Sequence, residues 1–138
     1  MPKRRFPHFT LEEAEVLEEF MKSGLLEGKW SFDVKLVSKK FENAKIDDEL
    51  MKVIWKNLTA KRIDAICETA EDINIIEVKR VMLASGIGQL MLYAYMYNQQ
   101  FKPQKPVKLW YVTYYNDPDI EEYCRLIGVK TWSKVRVV

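Results

Sequence analysis

The chain has 138 residues, of which 48% are hydrophobic and 30% charged, and this suits one domain with a packed core. Its five glycines and five prolines exclude collagen-like and low-complexity chains. The longest apolar run, from Leu90 to Tyr97, is far shorter than the ~18 residues that a membrane span needs. No leader-like segment opens the sequence, so we expect an intracellular protein without a membrane partner.

Charge and cysteine content exclude few partners but several metal sites. The 22 basic and 20 acidic residues leave a formal charge of +2, which neither demands nor excludes nucleic acid. Cys67, Cys124 and His8 are the whole set of cysteine and histidine residues. Three such ligands are too few for a structural zinc site or an iron–sulfur cluster.

Helical and extended patterns alternate along the chain. Thr10, followed three residues later by Glu13, is typical of a capping box at the start of a first helix, which Gly24 ends. Apolar periodicity predicts three more helices, over Ile46–Leu58, Ala84–Gln100 and Asp119–Leu126. Runs rich in β-branched and aromatic residues predict five strands, over Lys29–Val37, Arg62–Thr69, Ile73–Val81, Lys108–Tyr115 and Thr131–Val138. This order predicts a single α/β (α+β) domain with a mixed sheet flanked by helices.

The second and third strands read as a hairpin that carries charged residues. Folding it about Ala70–Glu71 places Asp64 opposite Glu77, with Cβ atoms ~4.5–5.5 Å apart. Opposed like charges destabilise a hairpin, and a cation that prefers oxygen ligands, such as Mg²⁺, would compensate. Lys79 lies on the same face as Glu77 and could stabilise a phosphate in a transition state.

The same residues also allow an ordinary structural interpretation. Asp64 would then lie in solvent, while Glu77 pairs with Lys79 or Arg62 in a surface network. A shift of the register by one residue would also separate the two carboxylates. The spacing alone does not choose between these interpretations.

A resemblance to a known family favours the metal site. Asp64, the run Ile75-Ile76-Glu77-Val78-Lys79 and Gly88-Gln89 at the start of an aromatic helix resemble the PD-(D/E)XK nuclease superfamily. Gln89-x-x-x-Tyr93 resembles the Gln/Tyr motif of its RecB-like branch. Glu13 to Gly24 resembles the first helix of archaeal Holliday-junction resolvases. The leading dipeptide, Ile63-Asp64, departs from the family pattern because it lacks the proline.

The resemblance implies a restriction-endonuclease-like core and a role for each matching residue. Asp64, Glu77 and the backbone carbonyl of Val78 match the ligands of Mg²⁺ or Mn²⁺, and Lys79 matches the catalytic lysine. It further implies a nuclease that cleaves DNA to a 5′-phosphate and a 3′-hydroxyl, of a kind familiar in archaea and their viruses. Whether the cleavage is internal or terminal stays open.

Further residues receive roles from the same resemblance. Gln89 would orient the attacking water or touch a phosphate, and Tyr93 lies one helical turn further on the same face. Glu13 is either the acid of the capping box or an active-site acid, with Glu12 as a weaker substitute. His8 is either a metal ligand, as in some RecB-like enzymes, or an ordinary surface or packing residue.

Partners follow in part from the sequence. We expect DNA, bound by basic residues, and a homodimer in which the last strand, Thr131–Val138, forms an exposed edge. No nucleotide cofactor is expected, because Met91 replaces the third glycine of a dinucleotide motif that begins Gly86-Ile-Gly88. A non-catalytic DNA-binding module and a protein-interaction subunit are the alternatives, since a fold does not fix its function. The basic clusters are Lys3-Arg4-Arg5, Lys39-Lys40, Lys61-Arg62 and Lys102/Lys105.

Overall fold

The computed structural model describes residues 8–37, 48–59 and 61–137, with the backbone alone for residues 55–59. Within these residues, helices and strands follow the predicted order. The elements are α1 (Leu11–Lys22), β1 (Lys29–Leu36), α2 (Glu49–Thr59), β2 (Lys61–Glu68), β3 (Ile73–Val81), α3 (Ala84–Phe101), β4 (Val107–Tyr115), α4 (Pro118–Ile127) and β5 (Val129–Val135). The first two residues of the predicted second helix, 46 and 47, lie outside the described residues.

The five strands form one mixed sheet in the order β1-β2-β3-β4-β5. The pairs β1–β2 and β2–β3 are antiparallel, while β3–β4 and β4–β5 are parallel. The predicted mixed sheet flanked by helices is therefore confirmed. The last strand begins at Val129, two residues before the predicted start, because Gly128 at φ 82° ends α4 and leads directly into it.

Helices cover both faces of the sheet. On the α1 face, Leu17 and Phe20 pack against Ala65, Ile76 and Val112. On the opposite face, which we call the α3 face, α3 and α4 pack over a second cluster that includes Ile63, Ile75 and Tyr111. No helix in the described parts of the chain is long and apolar enough to cross a membrane.

Side-chain alternation inverts once in β1. Trp30 and Phe32 pack on the α1 face, whereas Val34 and Leu36 pack on the α3 face. In a regular strand these four residues would share one face. The inversion falls at Asp33, whose φ of 54° is left-handed.

An equivalent inversion occurs in β2. Ala65 and Cys67 contribute to the α1 face, but Ile63 contributes to the α3 face. The change therefore falls at Asp64. The flanking pairs of the β1–β2 ladder place Asp64 directly across from Asp33, so the two irregular residues are neighbours.

Tyr111 fixes the start of α3 through its hydroxyl. This fully buried side chain donates to the Leu83 carbonyl at 2.8 Å and accepts from the Leu83 N–H at 2.9 Å. Leu83 is the N-cap of α3 and has no side-chain cap of its own, so the tyrosine supplies one. A Cβ on Gly86 would lie 2.1 Å from the Tyr111 hydroxyl oxygen, and the close approach therefore requires glycine.

Gly86→Ala should destabilise the protein, because neither the tyrosine ring in the core nor the helix backbone can yield easily. We expect a loss of about 1–3 kcal/mol, as for other overpacked cores. Thermal melts would then show a drop of several degrees. Gly88→Ala is the matched control, since open space surrounds that position in the same helix and alanine favours the helix by about 0.5–1 kcal/mol. Equal melting temperatures for the two variants would contradict this account.

Candidate active site

The hairpin of β2 and β3 has the predicted register but ends earlier than predicted. Ala65 pairs with Ile76, and the three pairs beyond them follow the same register toward the turn. The ladder stops at Ala65, so Asp64 and Glu77 do not form the cross-strand pair that was predicted. The physical reason is the inversion at Asp64, which turns its side chain away from either face and toward β3.

The Asp64 carboxylate takes the place of a backbone acceptor. Its Oδ2 atom accepts a hydrogen bond from the Val78 N–H at 2.8 Å. In an extended strand the N–H and the carbonyl of one residue point to the same edge. The Val78 carbonyl therefore also faces the gap that opens between β2 and β3 beside Asp64.

Glu77 is the second acid at this point of the sheet. It is only 3% exposed, and its carboxyl group hydrogen-bonds with that of Asp64. Burial raises the pKa of both groups, and the negative charge of Asp64 raises the pKa of Glu77 further. The two acids therefore retain a proton more readily than exposed carboxyl groups do.

Lys79 supplies the positive charge next to this pair. Its Nζ lies 3.4 Å from the Oε2 of Glu77 and lowers the pKa of both acids. The Glu77–Lys79 contact was part of the surface-network interpretation. The burial of Glu77 and the half-burial of Asp64 contradict the rest of that interpretation.

Helix α3 brings the predicted Gln89 and Tyr93 to the site. The two residues lie one helical turn apart, and the Gln89 side chain lowers the pKa of Tyr93. Burial raises the pKa of Tyr93, and the charge of Glu77 raises it further, which places the ring close to the acids. Met91 and Tyr95 point outward from the same helix, at 41% and 58% exposure, because α3 buries only one side against the sheet.

Glu13 has the capping role that was one of its two interpretations. Its Oε1 accepts from the Thr10 N–H at 3.0 Å, and its own N–H donates to the Thr10 hydroxyl at 3.1 Å. Its charge also raises the pKa of Asp64, so the helix start lies near the acids. Glu12 instead binds Arg80 at 2.7 Å. A catalytic role for Glu13 stays a prediction.

Asp33 is a neighbour of the site that the sequence did not reveal. Its Oδ2 atom lies 3.1 Å from Nε2 of His8 and 3.3 Å from Nη1 of Arg62. Asp33 lies across from Asp64 in the β1–β2 ladder, and Arg62 lies two residues before Asp64 on β2. The signal in the sequence was an acidic residue between the apolar residues Phe32 and Val34.

The donor set fits a cation that takes oxygen ligands. Among the residues that the structure describes, no three side chains of histidine, cysteine, aspartate or glutamate are grouped closely enough to hold a metal by themselves. Two carboxylates and the Val78 carbonyl are the available donors. Mg²⁺ commonly uses one or two carboxylates and keeps several waters, so the residues present suit it.

Because of these two acids, the stability of the metal-free protein should decrease as the pH rises. Both have a raised pKa in the fold, so the folded state holds protons more tightly than the unfolded state. That stabilising contribution is complete below about pH 4 and is lost as the pH rises through the raised values. Glu77→Gln removes the titration, so the melting temperature of wild type relative to this variant should decrease between about pH 5 and about pH 8.

Glu122→Gln, which changes an exposed carboxylate on α4, serves as the control and should follow the wild type. The melts are recorded with a chelator present. A constant difference between wild type and Glu77→Gln over that range would show that the two acids do not share a buried proton.

Comparison with protein-family models, with curated proteins and with solved structures finds no match to this chain. The resemblance to the PD-(D/E)XK superfamily therefore stays a prediction from the sequence motifs.

Proposed function

We propose that this protein is a divalent-metal-dependent nuclease of the PD-(D/E)XK type that hydrolyses phosphodiester bonds in DNA. The observation that carries the proposal is the pair of the half-buried Asp64 and the buried Glu77, with Lys79 beside it, at the point where the β2–β3 ladder ends. Buried acids without a full set of partners destabilise a fold. Acids with raised pKa values next to a lysine are typical of a functional site.

Each residue has a chemical task in this proposal. Asp64, Glu77 and the Val78 carbonyl would hold Mg²⁺ or Mn²⁺. A divalent cation bound there lowers the pKa of an attacking water and offsets charge on the phosphate. The Lys79 ammonium group stabilises the negative charge that develops in the transition state. Gln89, whose side chain interacts with Tyr93, would orient the water or contact a phosphate oxygen.

Basic residues border the opening and support a nucleic-acid substrate. Lys61 and Arg62 precede Asp64 on β2, and Lys35 pairs with Arg62 across the β1–β2 ladder. Such groups contact phosphates and release counterions. Lys105 lies at the opposite end of β2, where it binds Glu68 at 2.9 Å. The clusters Lys3-Arg4-Arg5 and Lys39-Lys40 lie outside the described residues.

A homodimer remains part of the proposal. In the described sheet β5 is an edge strand, as the prediction required, and it carries the half-buried Trp132. An edge strand presents unpaired backbone groups that a second copy can bind. Pairing two copies would also allow one assembly to contact both strands of a duplex.

Lys79→Ala should abolish cleavage and leave DNA affinity nearly unchanged, because the lysine acts on the transition state rather than on the bound backbone. We expect a loss of at least about 10²-fold in the single-turnover rate. The assay uses Mg²⁺ or Mn²⁺ with linear, nicked, flap and four-way-junction DNA. Lys108→Ala, an exposed lysine near the start of β4, is the control and should cleave normally. Full activity of Lys79→Ala would remove the lysine from the mechanism.

Asp64→Asn should be as stable as the wild type, or slightly more stable, when no metal is present. The amide oxygen can still accept from the Val78 N–H, while one buried charge disappears. The variant should lose the stabilisation that Mn²⁺ gives the wild type, which is about 2.7 kcal/mol at one hundred times the dissociation constant. Thermal melts with chelator and with Mn²⁺ measure both effects. A wild type that ignores millimolar metal would count against the site.

A second candidate function is a protein-interaction module that keeps the nuclease fold. The observation in its favour is α3, which has no charged residue over its 18 positions and exposes Met91, Leu92 and Tyr95. Exposed apolar helix faces often mark interaction sites. This candidate predicts neither a metal response nor cleavage, so the experiments above distinguish it from the nuclease.

A further inference from the structure

Asp33 has an unusual backbone conformation for a residue inside a strand. Its φ of 54° lies in the left-handed region, and the other non-glycine residue with a positive φ in the described part of the chain, Lys102, is a helix C-cap. Aspartate tolerates this region better than most residues, yet the conformation still costs free energy. Such a residue persists only where its surroundings hold it in place.

Two cationic or potentially cationic side chains hold Asp33. Arg62 and His8 both contact its Oδ2 atom, at 3.3 Å and 3.1 Å. Arg62 comes from the neighbouring strand β2, and His8 precedes α1. The contacts therefore come from two separate elements.

The position of Asp33 in the ladder connects it with the site. Phe32 pairs with Ala65 and Val34 with Ile63, so Asp33 lies across from Asp64, but these two residues do not themselves form a ladder pair. The side-chain alternation of β1 and that of β2 both invert at this level of the ladder. A left-handed residue rotates the following peptide, which breaks the regular pairing that would otherwise hold Asp64 on one face.

We propose that Asp33 is a positioning residue, whose left-handed backbone releases Asp64 from the β1–β2 ladder and lets its carboxylate turn into the sheet plane onto the Val78 N–H. In this arrangement Asp64 and the Val78 carbonyl lie in the same gap, as a shared metal would need. The functional meaning rests on the proposed nuclease, whereas the geometric effect on Asp64 does not.

Amide hydrogen exchange of the full-length protein, measured by NMR without metal or DNA, tests the geometric effect. The readout is the exchange rate of the Val78 amide relative to that of Ile76, which lies in the intact ladder. Asp33→Val disfavours the left-handed region and should accelerate the relative rate by about tenfold or more. Asp33→Gly and Asp33→Asn tolerate that region and should stay within about threefold of the wild type.

The controls separate positioning from general damage. Ser31→Val changes an exposed residue of β1 in the regular part of the ladder and should leave the relative rate unchanged. Asp64→Ala removes the acceptor and sets the largest effect to be expected. If Asp33→Val does not fold, Asp33→Ala takes its place, because it differs from Asp33→Gly by one methyl group.

The outcomes are distinct. Slow Val78 exchange in a folded Asp33→Val variant would overturn the inference. Fast Val78 exchange in Asp33→Gly would also overturn it, because the carboxylate of Asp33 and not its backbone would then position Asp64. Titration with Mn²⁺ adds the functional arm: Asp33→Val should bind at least about tenfold more weakly than Asp33→Gly. A wild type with the expected exchange pattern but no Mn²⁺ binding would retain the positioning role and refute the nuclease.

Discussion

The hydrogen bond from the Val78 N–H to the Asp64 carboxylate replaces a bond that the β2–β3 ladder would otherwise make between backbone groups. Because the acceptor belongs to a side chain, β2 no longer needs to lie against β3 beyond Ala65, and the sheet opens there. The opening brings a carboxylate into the plane of the sheet, between its two faces. From that position Asp64 can approach Glu77 on the α3 face and Glu13 at the start of α1.

The opening has an electrostatic consequence that the rest of the structure only partly offsets. Glu77 is buried and Asp64 half-buried, and among the described residues Lys79 is the cation that contacts Glu77. A shared proton reduces the repulsion, but it does not use the Val78 carbonyl or Gln89. In the proposed function, a cation with several bound waters would satisfy all of these groups together.

The sequence predicted the sheet and the hairpin register well, because both follow from local patterns. The polar turn at Ala70–Glu71 determined which residues face each other, and four pairs obey that register. The extension of the register to Asp64 and Glu77 was wrong, since a period of two assumes a strand that does not change faces. The change depends on the left-handed backbone of Asp33, and aspartate adopts that conformation too rarely for the sequence alone to show it.

The hydrogen bonds of the Tyr111 hydroxyl affect how the sequence of this chain can evolve. Tyr111 pairs with Glu77 across the parallel ladder, and the same side chain holds the first turn of α3 through Leu83. The strand that carries Glu77 and the helix that carries Gln89 are thus tied to one buried residue. The outward side of α3 is free to acquire new residues, and with them new binding partners, while the spacing between the glutamine and the acids stays constant.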